Sequence, residues 1–220
     1  MILTYQSVLC FIPLIPAAIA ILIAIGGTIF IKWLMKPDKK TTRIAILGLK
    51  ASGKTTLWNG LRGTRFSSDY QVTAKDRVRS FTIEKDGKEL TIEENSDIGG
   101  GNQWVREYDN LIKDGTFVFY LVDATDKKPE SRSSIRSRVQ KICEHMQTMK
   151  NCGARILITH IDKCSGMQRG EIISSIKEWL DLESVSINGK TAKYEYDAVN
   201  LTSASDIESI KKMIIDNVYG

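Results

Sequence analysis

Residues 48–55 read Gly-Leu-Lys-Ala-Ser-Gly-Lys-Thr, a complete G-x-x-x-x-G-K-[ST] loop. The run before it, Arg43-Ile44-Ala45-Ile46-Leu47, reads as a short buried strand. The run after it, Thr56-Leu57-Trp58-Asn59-Gly60-Leu61, reads as a helix start. A glycine-rich turn between strand and helix aims backbone N–H groups and the positive end of the helix dipole at one point. That arrangement binds phosphate. The loop backbone, from Gly48 through Lys50, Ala51, Ser52 and Gly53 to Thr56, is expected to cradle the phosphates. Lys54 would reach the β- and γ-phosphates, and Thr55 would place its hydroxyl on Mg²⁺. An empty loop that kept the same shape would carry the same letters.

Outward from this loop the elements alternate. Val78–Glu84 and Lys88–Asn95 alternate apolar and polar residues around Asp86-Gly87, a hairpin signal. Gln103–Lys113 reads as a helix. Thr116–Val122 is a continuous apolar run, as buried parallel strands are. Ser131–Met149 is a long amphipathic helix, Arg155–Thr159 a strand, Arg169–Leu182 a helix and Tyr194–Asn200 a strand. Asp206–Val218 closes the chain as a helix with Ser205 as N-cap. The order β-α-β-β-α-β-α-β-α-β-α predicts a three-layer α/β domain. Its sheet is six-stranded and mostly parallel, with one antiparallel strand supplied by the hairpin. In such sheets ligands sit at the carboxyl ends of the strands.

The first 31 residues carry no charged side chain, and Val8–Leu34 is nearly all apolar. A helix of that length spans about 40 Å against a hydrocarbon core of about 30 Å. Lys32, Lys36, Lys39, Lys40 and Arg43 follow at once, whereas residues 1–7 carry no positive charge. The sequence alone therefore predicts one transmembrane anchor (1–35), a polar linker (36–42) and a globular domain (43–220). The N-terminus would lie outside or in a lumen, and the domain in the cytoplasm. A cleaved signal peptide fits less well, because no basic residue precedes the apolar run.

The chain has 31 basic and 26 acidic residues, a net charge of +5 spread too thinly for a nucleic-acid binder. Cys10, Cys143, Cys152 and Cys164 have no metal-like spacing and read as free thiols. His145 and His160 are the only histidines, too few for a metal cluster. Trp58, Trp104, Trp179, Phe117 and Phe119 read as core. Arg132, Arg136, Arg138 and Lys141 lie along one helix and read as a solvated face, with a partner or lipid surface as the alternative.

Three further motifs fall at strand ends. Asp97-Ile98-Gly99-Gly100 can hold Mg²⁺ through water at Asp97 and offer the Gly100 N–H to a γ-phosphate. In Thr159-His160-Ile161-Asp162, the Asp162 carboxylate can accept hydrogen bonds from the N1 and N2 donors of guanine, which adenine lacks. An ordinary strand-to-helix Asp is the alternative. In Thr202-Ser203-Ala204, the backbone at Ser203 and Ala204 can bind guanine O6.

Together these motifs, over about 43–220, resemble the Ras-like small GTPase superfamily. Within it they look most like the ADP-ribosylation-factor branch, including the β subunit of the signal-recognition-particle receptor. Carrying the branch resemblance are the double glycine after Asp97, the helix with Trp104 and Tyr108, and Phe117-Val118-Phe119-Tyr120-Leu121-Val122-Asp123-Ala124-Thr125-Asp126. The resemblance implies GTP or GDP with Mg²⁺ as ligands, and Thr159 and His160 beside Asp162 in the base motif. It also implies a γ-phosphate-sensing threonine that can ligate the metal, assigned to Thr73 with Thr64 as alternative. The implied activity is a membrane-anchored switch with slow hydrolysis, recruiting a protein partner in targeting or trafficking. A non-hydrolysing nucleotide-bound scaffold and an ATP-binding P-loop protein are the alternatives.

The chain departs from the family pattern at two informative places. The water-orienting glutamine that usually follows D-x-x-G is replaced by Gly101. That leaves the catalytic residue unassigned, and Gln103, two residues along a starting helix, is expected to point elsewhere. His160 stands where the family has a Lys packed along the purine plane, and its imidazole can stack there instead.

Overall fold

The computed structural model describes residues 39–64, 75–184, 186–187, 190–191 and 194–220. They lie in one compact unit, Lys39–Gly220. Strand β1 (Lys39–Gly48) begins within the stretch read as linker. Its first part, Lys39–Thr42, pairs in parallel with β4 (Lys88–Ile92), and Arg43–Gly48 pairs in parallel with β6 (Thr116–Asp123). Next come β7 (Gly153–Thr159) and β10 (Tyr196–Ala198), both parallel. On the far edge, β3 (Phe81–Lys85) runs antiparallel to β4. The main sheet has six strands in the order β10-β7-β6-β1-β4-β3, the expected mostly parallel arrangement.

Period-two alternation builds two apolar layers. Val118, Tyr120 and Val122 of β6, with Ala45 and Leu47 of β1, pack against α3 (Pro129–Met146) and α4 (Arg169–Leu180). Phe117, Phe119 and Leu121, with Ile44 and Ile46, pack on the opposite face against α1 (Lys54–Arg62) and α5 (Ala204–Tyr219).

The hairpin is longer than its sequence suggests. Strands β2 (Lys75–Val78) and β5 (Asn95–Ile98) form a separate antiparallel pair, so the expected strand Val78–Glu84 is broken after Val78. At the break Asn95 Nδ2 donates to Ile44 O (2.7 Å), a side chain bonding β1 where the β4 backbone has left it. This carries Asp97 to the end of β1 where the loop begins. The expected helix 103–113 is a 3₁₀ turn (Asn102–Glu107) continuing into the short α2 (Tyr108–Leu111). Ile112 is extended and Thr116 Oγ1 takes the Lys113 N–H (2.9 Å), which ends the helix early. Helix α5 starts at Ala204 with Ser203, not Ser205, in the N-cap position. A two-residue pair, β8 (Ser186–Ile187) and β9 (Lys190–Thr191), lies outside the main sheet.

The expected membrane-spanning helix, Val8–Leu34, lies outside the described residues. Among the described residues no helix is long and apolar enough to cross a membrane. The longest, α3 with 18 residues, buries one stripe on the sheet and carries Arg132, Arg136, Lys141 and Glu144 as well. A helix that covers one face of a sheet needs only one apolar stripe, whereas a span must be apolar all round. The expectations of a single-pass anchor, a membrane partner and a lumenal-to-cytoplasmic topology are corrected on that finding: no helix among the described residues spans a membrane, and the fold they form is an α/β P-loop domain.

Candidate functional site

The loop Gly48–Thr55 joins β1 to α1 at the carboxyl end of the sheet. Gly53 sits at φ 92°, and a Cβ there would stand 2.6 Å from Leu201 Cδ1. That left-handed backbone favours glycine, and a side chain would in addition displace the tip of Leu201. The loop is pinned from three sides. Ser52 Oγ donates to Leu49 O (2.9 Å), Lys54 Nζ donates to the same carbonyl (2.7 Å), and Thr159 Oγ1 donates to Ser52 O (3.0 Å). Lys50, Ala51 and Thr55 are exposed, Thr56 half-buried and Lys54 buried. Burial pushes the Lys54 ammonium down to about 8. Asp97 opposes that shift, and Arg138 adds to it.

Thr55 Oγ1 donates to Asp97 Oδ2 at 2.6 Å. Asp97 is buried, which raises its carboxyl above the usual range against the pull of Thr55 and Lys54. Its Oδ1 is buried and has no hydrogen-bond partner among the described residues. An orphaned carboxylate oxygen beside a hydroxyl suits a hard, oxygen-seeking cation with its waters. Asp97 and Thr55 thus fit Mg²⁺. Thr73, the proposed third contributor, lies outside the described residues. The alternative, Thr64, bonds Asn59 O (3.1 Å) at the end of α1.

Gly100 lies against the phosphate loop. A Cβ on it would stand 2.5 Å from Leu49 O and nearer still to Lys50 N. The segment is held from the other side by Arg138 of α3, whose Nη1 donates to Gly100 O (2.9 Å) and Nη2 to Asn102 Oδ1 (2.8 Å). Arg138 is 4% exposed, so it is no part of a solvated face. The signal was legible: Ile135, Arg138, Val139 and Ile142 follow the i, i+3, i+4, i+7 pattern of a buried stripe. Gln103 also differs from expectation, because its carboxamide folds back over Gly101.

At the base end, Thr159 is fully buried, its single hydroxyl proton lying between the phosphate-loop carbonyl Ser52 O (3.0 Å) and Val122 O (3.3 Å). Its hydroxyl thus ties the base motif to the phosphate loop. His160 adopts φ 58°, and its Nδ1 lies 3.3 Å from Asp123 Oδ2 and 3.2 Å from Thr159 Oγ1. Asp162 is exposed at the start of the following 3₁₀ turn, and Ser203 and Ala204 begin α5. Reading the sequence did not single out the brace behind this end. The buried Asp206 accepts from both Asn200 N (2.7 Å) and Arg169 Nη2 (2.7 Å), while Arg169 Nη1 donates to Ala198 O (3.2 Å).

A phosphate loop, a carboxylate–hydroxyl pair and a base-motif strand at one end of this sheet define a P-loop nucleotide-binding domain of the Ras-like kind. Residues 28–217 match the ADP-ribosylation factor family, and the chain belongs to it. No curated protein gives a significant match. Family membership implies GTP or GDP with Mg²⁺ as ligands and suggests GTP-hydrolysing activity.

Proposed function

We propose that this chain is a guanine-nucleotide switch that binds GTP and GDP with Mg²⁺ and cleaves GTP slowly. The observation that carries the reading is the junction of Lys54, Thr55, Asp97 and Gly100 at one loop. Lys54 and the loop amides, from Gly48 to Thr56, neutralise phosphate charge. Thr55 and Asp97 would hold the ion, which would supply positive charge to offset that of the phosphates. Gly100 offers its N–H to the γ-phosphate, with Thr73 as the proposed second sensor. The γ-phosphate is thus the group that distinguishes the two states of residues 98–108.

Asp162 accepts the guanine N1 and N2 donors, Ser203 and Ala204 supply N–H groups to O6, and His160 lies along the purine. Thr159 supports this pocket from behind. The test is direct. Nucleotide released from the purified full chain is identified by chromatography, and GDP, GTP, ADP and ATP are titrated with and without Mg²⁺. Guanine nucleotides are expected to bind at least a hundredfold more tightly than adenine ones, and equal competition by ATP would overturn the base assignment. Gly101 favours one second reading, a scaffold that holds GTP uncleaved, because it offers no side chain to a water.

A further inference from the structure

Gly101 has an ordinary extended backbone, φ −74° and ψ 162°, which any residue adopts. Its conformation therefore does not demand glycine. What a side chain at 101 would meet is the Gln103 carboxamide: an ideal Cβ would lie 2.8 Å from its Cδ and 2.9 Å from its Nε2, and nearer still to its Oε1. Among the described residues no other group lies as close. The amide of Gln103 occupies the space into which a residue-101 side chain would project.

The backbone that places it there is fixed at several points. Arg138 bonds Gly100 O and Asn102 Oδ1, on either side of Gly101, and Trp104 N–H closes a turn onto Gly101 O at 3.2 Å. Gly100 is pressed on Leu49 and Lys50 of the phosphate loop. Gln103 itself is exposed. A primary carboxamide carries both an acceptor oxygen and N–H donors. Beside a γ-phosphate it can accept a proton of a water and donate to a phosphate oxygen at once.

We infer that Gln103 is the water-orienting side chain of this enzyme, reaching from two residues further along the chain into the space left by Gly101. The inference rests on the GTP-hydrolysis reading above. The water oxygen forms a bond to the γ-phosphorus, and the bond from that phosphorus to the β–γ bridging oxygen breaks. GDP leaves with the electron pair, and both water hydrogens end on dihydrogen phosphate. Gln103 is neither consumed nor protonated in the net reaction. Arg138 acts through the Gly100–Asn102 backbone and is a positioning residue.

The experiment is single-turnover hydrolysis of GTP by the full chain, with GTP affinity measured on each protein. Gln103→Leu is expected to slow cleavage at least tenfold while GTP and GDP affinities change less than threefold. Gly101→Ala is expected to slow it too, because the methyl displaces a flexible amide and leaves the fold intact. The double change Gly101→Gln with Gln103→Ala returns a carboxamide to the same space and should restore cleavage relative to Gln103→Ala alone. Unchanged cleavage in Gln103→Leu overturns the inference. Bound but uncleaved GTP in the unmodified chain overturns it as well while leaving nucleotide binding standing. Absence of GTP binding overturns the binding reading along with it.

Discussion

Replacing Gly100 by Ala asks two backbones to occupy the same space. The added methyl would stand 2.5 Å from Leu49 O and nearer still to Lys50 N, where ordinary contact begins at 3.4 Å, so one partner must retreat by more than about 0.9 Å. The phosphate loop is held by Ser52 Oγ and Lys54 Nζ on Leu49 O and by Thr159 on Ser52 O. The Gly100 segment is therefore the one to yield. A good N–H···O distance of about 2.9 Å and no bond at about 3.6 Å differ by only about 0.7 Å, so the retreat removes the Gly100 contact to a γ-phosphate. A hydrogen bond to a charged group contributes about 1.5–3 kcal/mol. At about 1.4 kcal/mol per tenfold, the variant should lose about 10- to 150-fold in GTP affinity. GDP has no γ-phosphate and should keep its affinity. Displacement of a fluorescent GDP analogue by GTP and by GDP, in Mg²⁺, measures the ratio. A GTP-to-GDP affinity ratio equal to that of the unmodified chain, or an equal loss for both nucleotides, would refute the reasoning.

Three further outcomes follow from the same geometry. Asp162→Asn exchanges an acceptor for a donor, so GDP affinity should fall at least a hundredfold while xanthosine diphosphate gains; two unchanged titrations would sink the assignment. Arg138→Ala removes its bonds to Gly100 O and Asn102 Oδ1 and should cost about 1–3 kcal/mol. Thermal denaturation should show a midpoint lower by several degrees, and an unchanged midpoint would mean the clamp carries no stability. Burial holds Lys54 near 8, below its ordinary 10.5. Between those values the unfolded chain keeps a proton that the folded chain has shed, so stability in EDTA without nucleotide should rise from pH 8 towards pH 10. Urea denaturation across that range, set against Lys54→Met, tests this, and identical slopes for the two proteins would contradict it.

Much of the fold was legible because its signals are local. The alternation in β1 and β6 sorts Ile44, Ile46, Phe117 and Phe119 to one layer and Ala45, Leu47, Val118 and Tyr120 to the other. The break in the hairpin was not legible, because it depends on Asn95 finding Ile44 O, 51 residues away. Arg138 was misread through its charge, although its place in the Ile135–Ile142 stripe marked it as buried. Gln103 was misjudged because a helix geometry was assumed where the chain makes a 3₁₀ turn. The membrane anchor rested on hydropathy in residues that the structure does not describe.

By itself the sequence determined the phosphate loop, the alternation of the main-sheet strands with helices and the motifs at the strand ends. Each depends on residues that are chain neighbours, whose spacing sets backbone shape and periodicity directly. Only the tertiary structure decided what meets what: Thr55 with Asp97, Thr159 with Ser52, Arg138 with Gly100, and the Gln103 amide over Gly101. Most of those contacts join segments separated by tens of residues, which sheet pairing and apolar burial bring together. The last joins close neighbours, but the turn that folds it back is held by a helix 36 residues away in sequence.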